Sequence, residues 1–151
     1  QIIPSQKLSD ALFIRRNHLY PKLIINDADA YTTDTMHRVN IKKDVSLDAL
    51  VASYYNSLSF AFAEISGRSH GGGVLELMPS EVENIMLPYH DSNKNLVETI
   101  DKMIRANDSI DKILETTNKK ILIENYGFTE KEVQIADRIW KKLSNRRLNR
   151  N

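Results

Sequence analysis

The spacing of apolar residues changes its period at Ser46, and this change limits the fold more than any other feature of the sequence. Before it, the segment 36–42 alternates between two sets of side chains, which is typical of a half-buried β-strand. After it, apolar residues recur three or four positions apart, on one stripe of a helix. They are Leu47, Leu50, Val51, Tyr54, Tyr55, Leu58, Phe62 and Ile65. We therefore predict an α/β fold of the α+β type, with a small mixed sheet packed on a long amphipathic helix.

Three short strands are expected in the first part of the chain, at 12–16, 22–26 and 36–42. Pro21 and the polar cluster at 26–29 supply turn residues between them, which favours an antiparallel or mixed sheet. The helix that follows has Ser46 as its N-cap. Gly67 is placed to end that helix in the left-handed conformation.

The second half of the chain predicts helices. Ser80 and Glu83 have the spacing of a capping box, and Thr129 and Glu132 repeat it before the last helix. Between them, the region 93–124 carries a heptad-like apolar seam. Polar residues interrupt this seam, which favours packing against helices of the same protein over a free coiled coil.

The composition is that of a globular protein, since 41% of the 151 residues are hydrophobic and this length can bury one ordinary core. We expect an α/β domain at 1–90, followed by a C-terminal helical hairpin at 91–151. The absence of cysteine excludes disulfides and thiolate sites. No apolar run approaches the length of a membrane span, so a cytoplasmic protein without membrane contact is expected. Because the chain begins at Gln1, we expect a piece of a longer protein.

The charges are uneven along the chain although the formal net charge is only +1. The stretch 76–137 is rich in acids, whereas the tail at 138–151 has six lysines and arginines and no carboxylate. Such a tail could contact phosphates. It could equally be a solvated helix end in which cations offset the helix dipole.

No catalytic or metal-binding constellation is evident. The four histidines lack the spacing of metal ligands on a helix. Ser69 and His70 adjoin Glu76, but no nucleophile elbow surrounds the serine. The run 71–73 lacks the lysine and hydroxyl residue of a phosphate-binding loop. We therefore expect no catalytic residue, no metal site and no cofactor in this chain.

A polar, glycine-rich loop is the most distinctive candidate site. Its side chains offer hydrogen-bond donors, and its glycines would let a nucleic-acid backbone approach the main chain. The residues are Arg68, Ser69, His70, Gly71, Gly72 and Gly73. The alternative is that the glycines only permit a tight helix-to-strand reversal while the arginine is solvated. A second rank of candidates consists of Arg15, Arg16, Thr35, His37 and Arg38.

Several of these motifs occur together in a known family. The segments are Thr33 to Val39, Tyr55 to Leu58, Glu64 to Leu77 and Pro79 to Val82. In that order they resemble the C-terminal region of adenine-specific DNA methyltransferases of restriction-modification systems. The similar stretch runs from about Phe13 to Pro88. The glycine-rich segment at its centre, GRSHGGGVLEL, is its most specific part.

The resemblance implies a target-recognition domain at 1–90 that binds double-stranded DNA. It would follow a catalytic domain of the same chain, one that uses S-adenosylmethionine. The catalytic signature of the family, an asparagine or aspartate before two prolines and an aromatic residue, is absent from this sequence, as is the glycine-containing cofactor motif. We therefore expect a fragment that is not catalytic itself, with the target base flipped into the catalytic domain of the parent methyltransferase.

A competing hypothesis from another class is a protein-protein interaction module. In it, the helices after residue 93 would dock a restriction subunit, the catalytic domain or a second copy of the chain, without reading DNA. An independent small enzyme would need a catalytic cluster that the sequence does not contain.

Overall fold

The computed structural model describes residues 9–27 and 36–149. It confirms the mixed α/β class. The strands are β1 Ala11–Ile14, β2 Arg16–Asn17, β3 Leu23–Ile25, β4 Met36–Val39, β5 Arg68–His70 and β6 Val74–Glu76. The α-helices are α1 Leu47–Tyr54, α2 Ser57–Ser66, α3 Pro79–Val82, α4 Leu96–Arg105, α5 Ile110–Asn118 and α6 Glu130–Leu148. A 3-10 turn at Asp91–Asn95 precedes α4, and a π-helix at Lys119–Glu124 extends α5.

The strands form two antiparallel sheets of three strands, where we expected one small mixed sheet. Their orders are β3-β1-β4 and β2-β6-β5. The predicted strand at 12–16 is divided at Arg15, where the chain leaves the first sheet and enters the second. The main-chain carbonyl of Arg15 still accepts a hydrogen bond from the amide of Leu77, at 3.0 Å. One bend therefore joins both sheets.

The long helix expected after Ser46 is interrupted. Ser46 is the N-cap of α1, as predicted, but the chain becomes extended at Asn56, with φ −153° and ψ 161°. The side chain of Asn56 accepts a hydrogen bond from the amide of Ser59 at 2.8 Å. An asparagine competes with the helix in this way because its side chain can replace a backbone acceptor. The apolar stripe is thus shared by two helices.

The prediction for Gly67 is wrong in its conformation. Gly67 has φ −82° and ψ −176°, which is extended backbone. A β-carbon there would lie 2.8 Å from Cδ1 of Leu75 and 2.9 Å from the carbonyl oxygen of Glu76. Close approach of α2 to β6 therefore requires glycine at this position.

The capping boxes had different outcomes. Thr129 and Glu132 form the predicted box at the start of α6. The box expected at Ser80 is wrong, because α3 begins at Pro79 and the amide of Met78 donates to the carboxylate of Glu81 at 2.8 Å.

The hydrophobic core joins strands and helices from both halves of the chain. Its centre is an aromatic cluster in which the ring centroids of Phe60 on α2 and Trp140 on α6 are 5.4 Å apart, with the rings edge to face. Tyr54 and Tyr55 complete it, and their hydroxyls donate to backbone carbonyls of Pro21 and Leu23.

The division into domains at residue 90 stays a prediction. In the described part of the chain, no helix is both long enough and apolar enough to cross a membrane.

Candidate nucleic-acid interface

The second sheet presents a face rich in basic groups. Strand β6 places Glu76 directly opposite Arg16 on β2 and Arg68 on β5, and His70 pairs with Val74. Because directly opposed residues project to the same side of a sheet, these side chains share one face. We call Arg16, Arg68 and His70, which surround Glu76, the arginine face.

The glycine run is the turn of a β-hairpin between β5 and β6. Arg68, Ser69 and His70, expected on a loop, are strand residues, and all three are exposed. Gly72 and Gly73 have φ of 75° and 80°, in the left-handed region that favours glycine. A reversal is therefore present, but it joins two strands and not a helix and a strand. The β-carbon positions at residues 71 and 72 have nothing within 4 Å, so the hairpin tip is open.

Arg68 is held loosely. Its side chain is 62% exposed, and Nη2 lies 3.1 Å from Oε2 of Glu81. The N–H of Met78 and the charge of Arg68 together lower the pKa of Glu81, with the hydrogen bond from Met78 as the largest cause. An exposed ion pair of this kind contributes about 0–1 kcal/mol. A phosphate or a base edge can therefore take the guanidinium from Glu81 at little cost.

Arg15 and Arg16 are committed more strongly to the fold. The carboxylate of Glu76 is nearly buried, with Nε of Arg16 at 2.7 Å and Nε of Arg15 at 3.7 Å. The pKa of Glu76 is lowered, first by the hydrogen bond from Arg16 and then by the charges of Arg16, Arg15 and His70. A buried carboxylate needs these partners. Although the side chain of Arg16 is 53% exposed, it is therefore a weaker candidate for contact with nucleic acid than Arg68. Arg15 is 27% exposed and also donates to the sulfur of Met78.

Two of the remaining candidates, His37 and Arg38, lie on β4, in the other sheet. Nε2 of His37 is 2.6 Å from the carbonyl oxygen of Leu77, to which it donates, and its ring stacks on Phe13. His37 is therefore part of the contact between the two sheets. Arg38 is exposed and, by the alternation of the strand, projects to the opposite side of β4. Thr35 lies outside the described residues.

Arg147 reaches the hairpin from α6, a contact that the sequence did not indicate. Its side chain is 4% exposed and binds both carboxylate oxygens of Glu64, at 3.0 and 2.8 Å. It also donates to the carbonyl oxygens of Gly73, at 2.5 Å, and of His18. Of the two hypotheses for the basic tail, neither describes Arg147, because this cation is buried inside the protein.

His18 is a further residue of the site that sequence reasoning left out of the candidates. It is exposed, and its Nε2 lies 3.6 Å from the β-carbon position of Gly73. The available signal was its position in the sequence, two residues after Arg16 and three before Pro21. Within residues 9–27 and 36–149, no group of three or more histidine and carboxylate side chains could hold a metal ion.

The comparisons with known proteins give one match. Residues 1–122 match the family model described as Type II methyltransferase M.Eco57I, C-terminal domain. No curated protein and no solved structure matches the chain. The matched stretch contains the arginine face and the glycine hairpin, and it covers well over half of the 151 residues. This chain therefore belongs to the family of the C-terminal domain of the Type II methyltransferase M.Eco57I.

Proposed function

We propose that this domain binds double-stranded DNA through the arginine face and the glycine hairpin. In this role it supplies sequence recognition to an adenine-specific, S-adenosylmethionine-dependent methyltransferase of a restriction-modification system. The observation that carries the proposal is the setting of Arg68. It is exposed, weakly paired, and three residues before Gly71, where the hairpin tip at Gly71 and Gly72 has no neighbouring atoms within 4 Å of its β-carbon positions.

The shape of the hairpin suits a DNA groove. A two-stranded β-ribbon fits the major groove of B-DNA, and arginine can donate two hydrogen bonds to the edge of a guanine. β5 lies at the edge of its sheet, and β2 pairs with β6 at Glu76 and Leu75. Beyond that pairing the hairpin is two-stranded, from His70 and Val74 to the tip, where Gly71 and Gly72 add no side chains. The β5–β6 hairpin can therefore enter a groove tip first, with Arg68 and His70 along one side.

The methyl transfer belongs to the proposed catalytic domain of the parent chain. That domain would bind S-adenosylmethionine and receive the flipped adenine, because a base inside the duplex is out of reach of a methyl donor. The present domain would hold the duplex in register. Its partners are then DNA and the catalytic domain.

The test is binding of a fluorescent duplex that contains the parent enzyme's target site, followed by anisotropy. We expect Arg68→Ala to weaken binding about 5- to 150-fold, which corresponds to the loss of one good base contact of about 1–3 kcal/mol. Arg105→Ala is the matched control, since Arg105 is an exposed arginine paired with one carboxylate on α4. Equal affinities of the Arg68 variant and the wild type would contradict the proposal.

Gly71→Ala provides an independent test at the hairpin tip. The added β-carbon meets nothing within 4 Å, so the free energy of unfolding should not change. A methyl group at the tip would nevertheless stand between the main chain and a closely bound duplex. We expect weaker DNA binding by a normally folded variant, and unchanged affinity would show that the tip does not approach DNA.

Docking of another protein is the second candidate function. The observation that favours it is a groove of about 650 Å³ between β3, α1 and α4. Ile24 and Ile104 line it and are 40% and 41% exposed. Sedimentation of the chain, alone and with a restriction subunit or the catalytic domain, tests this function. Association that Ile104→Asp abolishes would support it.

A further inference from the structure

We propose that the outer face of α6 is a second DNA contact, which binds the phosphate backbone beside the glycine hairpin. The contact consists of Arg138, Lys142 and Arg146, which we call the α6 stripe. This inference rests on the proposed DNA binding and extends it to a helix outside the matched residues 1–122.

The α6 stripe follows from the spacing of the helix. Its three cations are four residues apart, so they lie along one side and span about 12 Å at 1.5 Å per residue. The buried side chains of α6 are on the opposite side, and they are Ala136, Trp140, Ser144 and Arg147. In a duplex, phosphates recur about every 3.4 Å along the axis on each strand. A stripe of this length can therefore meet several phosphates.

The charges of the α6 stripe are not neutralised by neighbours. All three side chains belong to exposed residues. In the described part of the chain, none of them has a carboxylate oxygen within 4.0 Å, whereas neighbouring Lys141 pairs with Asp137 at 2.9 Å and with Asp111 at 3.6 Å. No carboxylate occurs in the sequence from 138 to 149. The outer face of α6 therefore carries a positive potential that attracts a polyanion.

A buried anchor fixes the end of α6 next to the hairpin. The side chain of Arg147 donates to the carbonyl oxygen of Gly73 at 2.5 Å. The backbone of Arg147 and Leu148 lies 3.5 Å from the β-carbon position of the same glycine. Arg146, the last cation of the stripe, is adjacent in sequence to this anchor. The backbone of the last turn of α6 therefore lies beside the hairpin, and a duplex that contacts both has to pass around the end of α6 to the outer side, where the stripe lies.

An acidic protein surface is the competing occupant of this face. Ile139 is 40% exposed beside the stripe, and an apolar side chain there contributes little to a phosphate contact. DNA is favoured because the helix end that carries Arg146 is held beside the hairpin, and because the three cations of the stripe have no carboxylate oxygen within 4.0 Å among the described residues. The salt dependence of DNA binding separates the two occupants.

The experiment compares the wild-type chain with the triple variant R138Q/K142Q/R146Q. Binding to a duplex of unrelated sequence is measured by anisotropy from 50 to about 300 mM salt. Each phosphate contact contributes about −0.9 to the slope of log K against log salt. We expect the slope of log K against log salt to be less steep by about 2 to 3 for the triple variant than for the wild type. Circular dichroism and the fluorescence of Trp140 confirm folding, because exposed substitutions have small effects on stability.

The control triple variant K102Q/K112Q/K119Q removes the same charge from exposed lysines on α4, α5 and the π-helix. Its slope should equal that of the wild type. A slope of R138Q/K142Q/R146Q that matches the control would overturn the inference. If Arg68→Ala still weakens binding in that case, the proposed function stands and only the α6 contact is lost. Absence of salt-sensitive binding by the wild type would overturn both.

Discussion

Replacing Arg147 by methionine tests the contact that joins α6 to the hairpin. Methionine keeps most of the side-chain volume and removes the charge and the donors. Glu64, whose side chain is 3% exposed, would then be a buried carboxylate without its cation. Breaking a buried ion pair from one side costs about 3–5 kcal/mol, and the carbonyls of Gly73 and His18 also lose a donor. We therefore expect a loss of about 3–5 kcal/mol, a large part of the 5–15 kcal/mol typical of a domain.

Urea unfolding measures this loss directly, because the chain has one tryptophan, Trp140, which is 4% exposed on α6. At a slope of about 2 kcal/mol per molar urea, the midpoint should fall by about 2 M. Arg146→Met, at the adjacent exposed position, should change stability by less than about 0.5 kcal/mol. The double variant E64M/R147M should recover part of the loss, since no buried charge remains. A loss below about 1 kcal/mol for Arg147→Met, or no recovery in the double variant, would refute this reasoning.

Three other predictions concern the parts that position the site. Gly67→Ala should cost about 1–3 kcal/mol because its β-carbon would lie 2.9 Å from the carbonyl oxygen of Glu76, as urea midpoints will show. Tyr54→Phe should cost about 1–3 kcal/mol in the same assay, since the carbonyl of Pro21 would lose a buried donor. The pKa of Glu76 in the folded protein is below its ordinary value of 4.5. The ionised carboxylate therefore stabilises the fold above pH 4.5, and this stabilisation is lost as the pH falls through the lowered pKa. The stability difference between wild type and Glu76→Gln should therefore be largest above pH 4.5 and narrow on acidification, measured by unfolding across pH.

Local signals in the sequence predicted local structure well. Ser46 and Thr129 cap their helices because a cap depends on the few residues that follow it. The interruption at Asn56 was missed because the apolar stripe continues through it, whereas its side chain prefers to cap a new helix. The strand boundary at Arg15 was missed because the alternation of side chains does not reveal which strands pair.

The structure of the candidate site was predictable only in part. The glycine run marked the segment, but the hairpin was missed, because Arg68, Ser69 and His70 were expected on a loop and they form strand β5. The sequence could not show which cations are exposed, because charge in a sequence carries no information on burial. Arg146 and Arg147 are adjacent and alike, yet one is exposed and the other is 4% exposed against Glu64. Only the tertiary packing of α6 on α2 separates them.

A nitrogen-15 NMR titration of the glycine amides tests the central claim most directly. The chain has only five glycines, so selective labelling gives a simple spectrum. On addition of a target duplex, we predict saturable, salt-sensitive shifts of the amide signals of Gly71 and Gly72. The amide signal of Gly127, which follows the π-helix far along the chain, should not shift. Hairpin signals that stay unmoved while the duplex binds, or a shift of Gly127 as large as theirs, would contradict DNA binding through the hairpin.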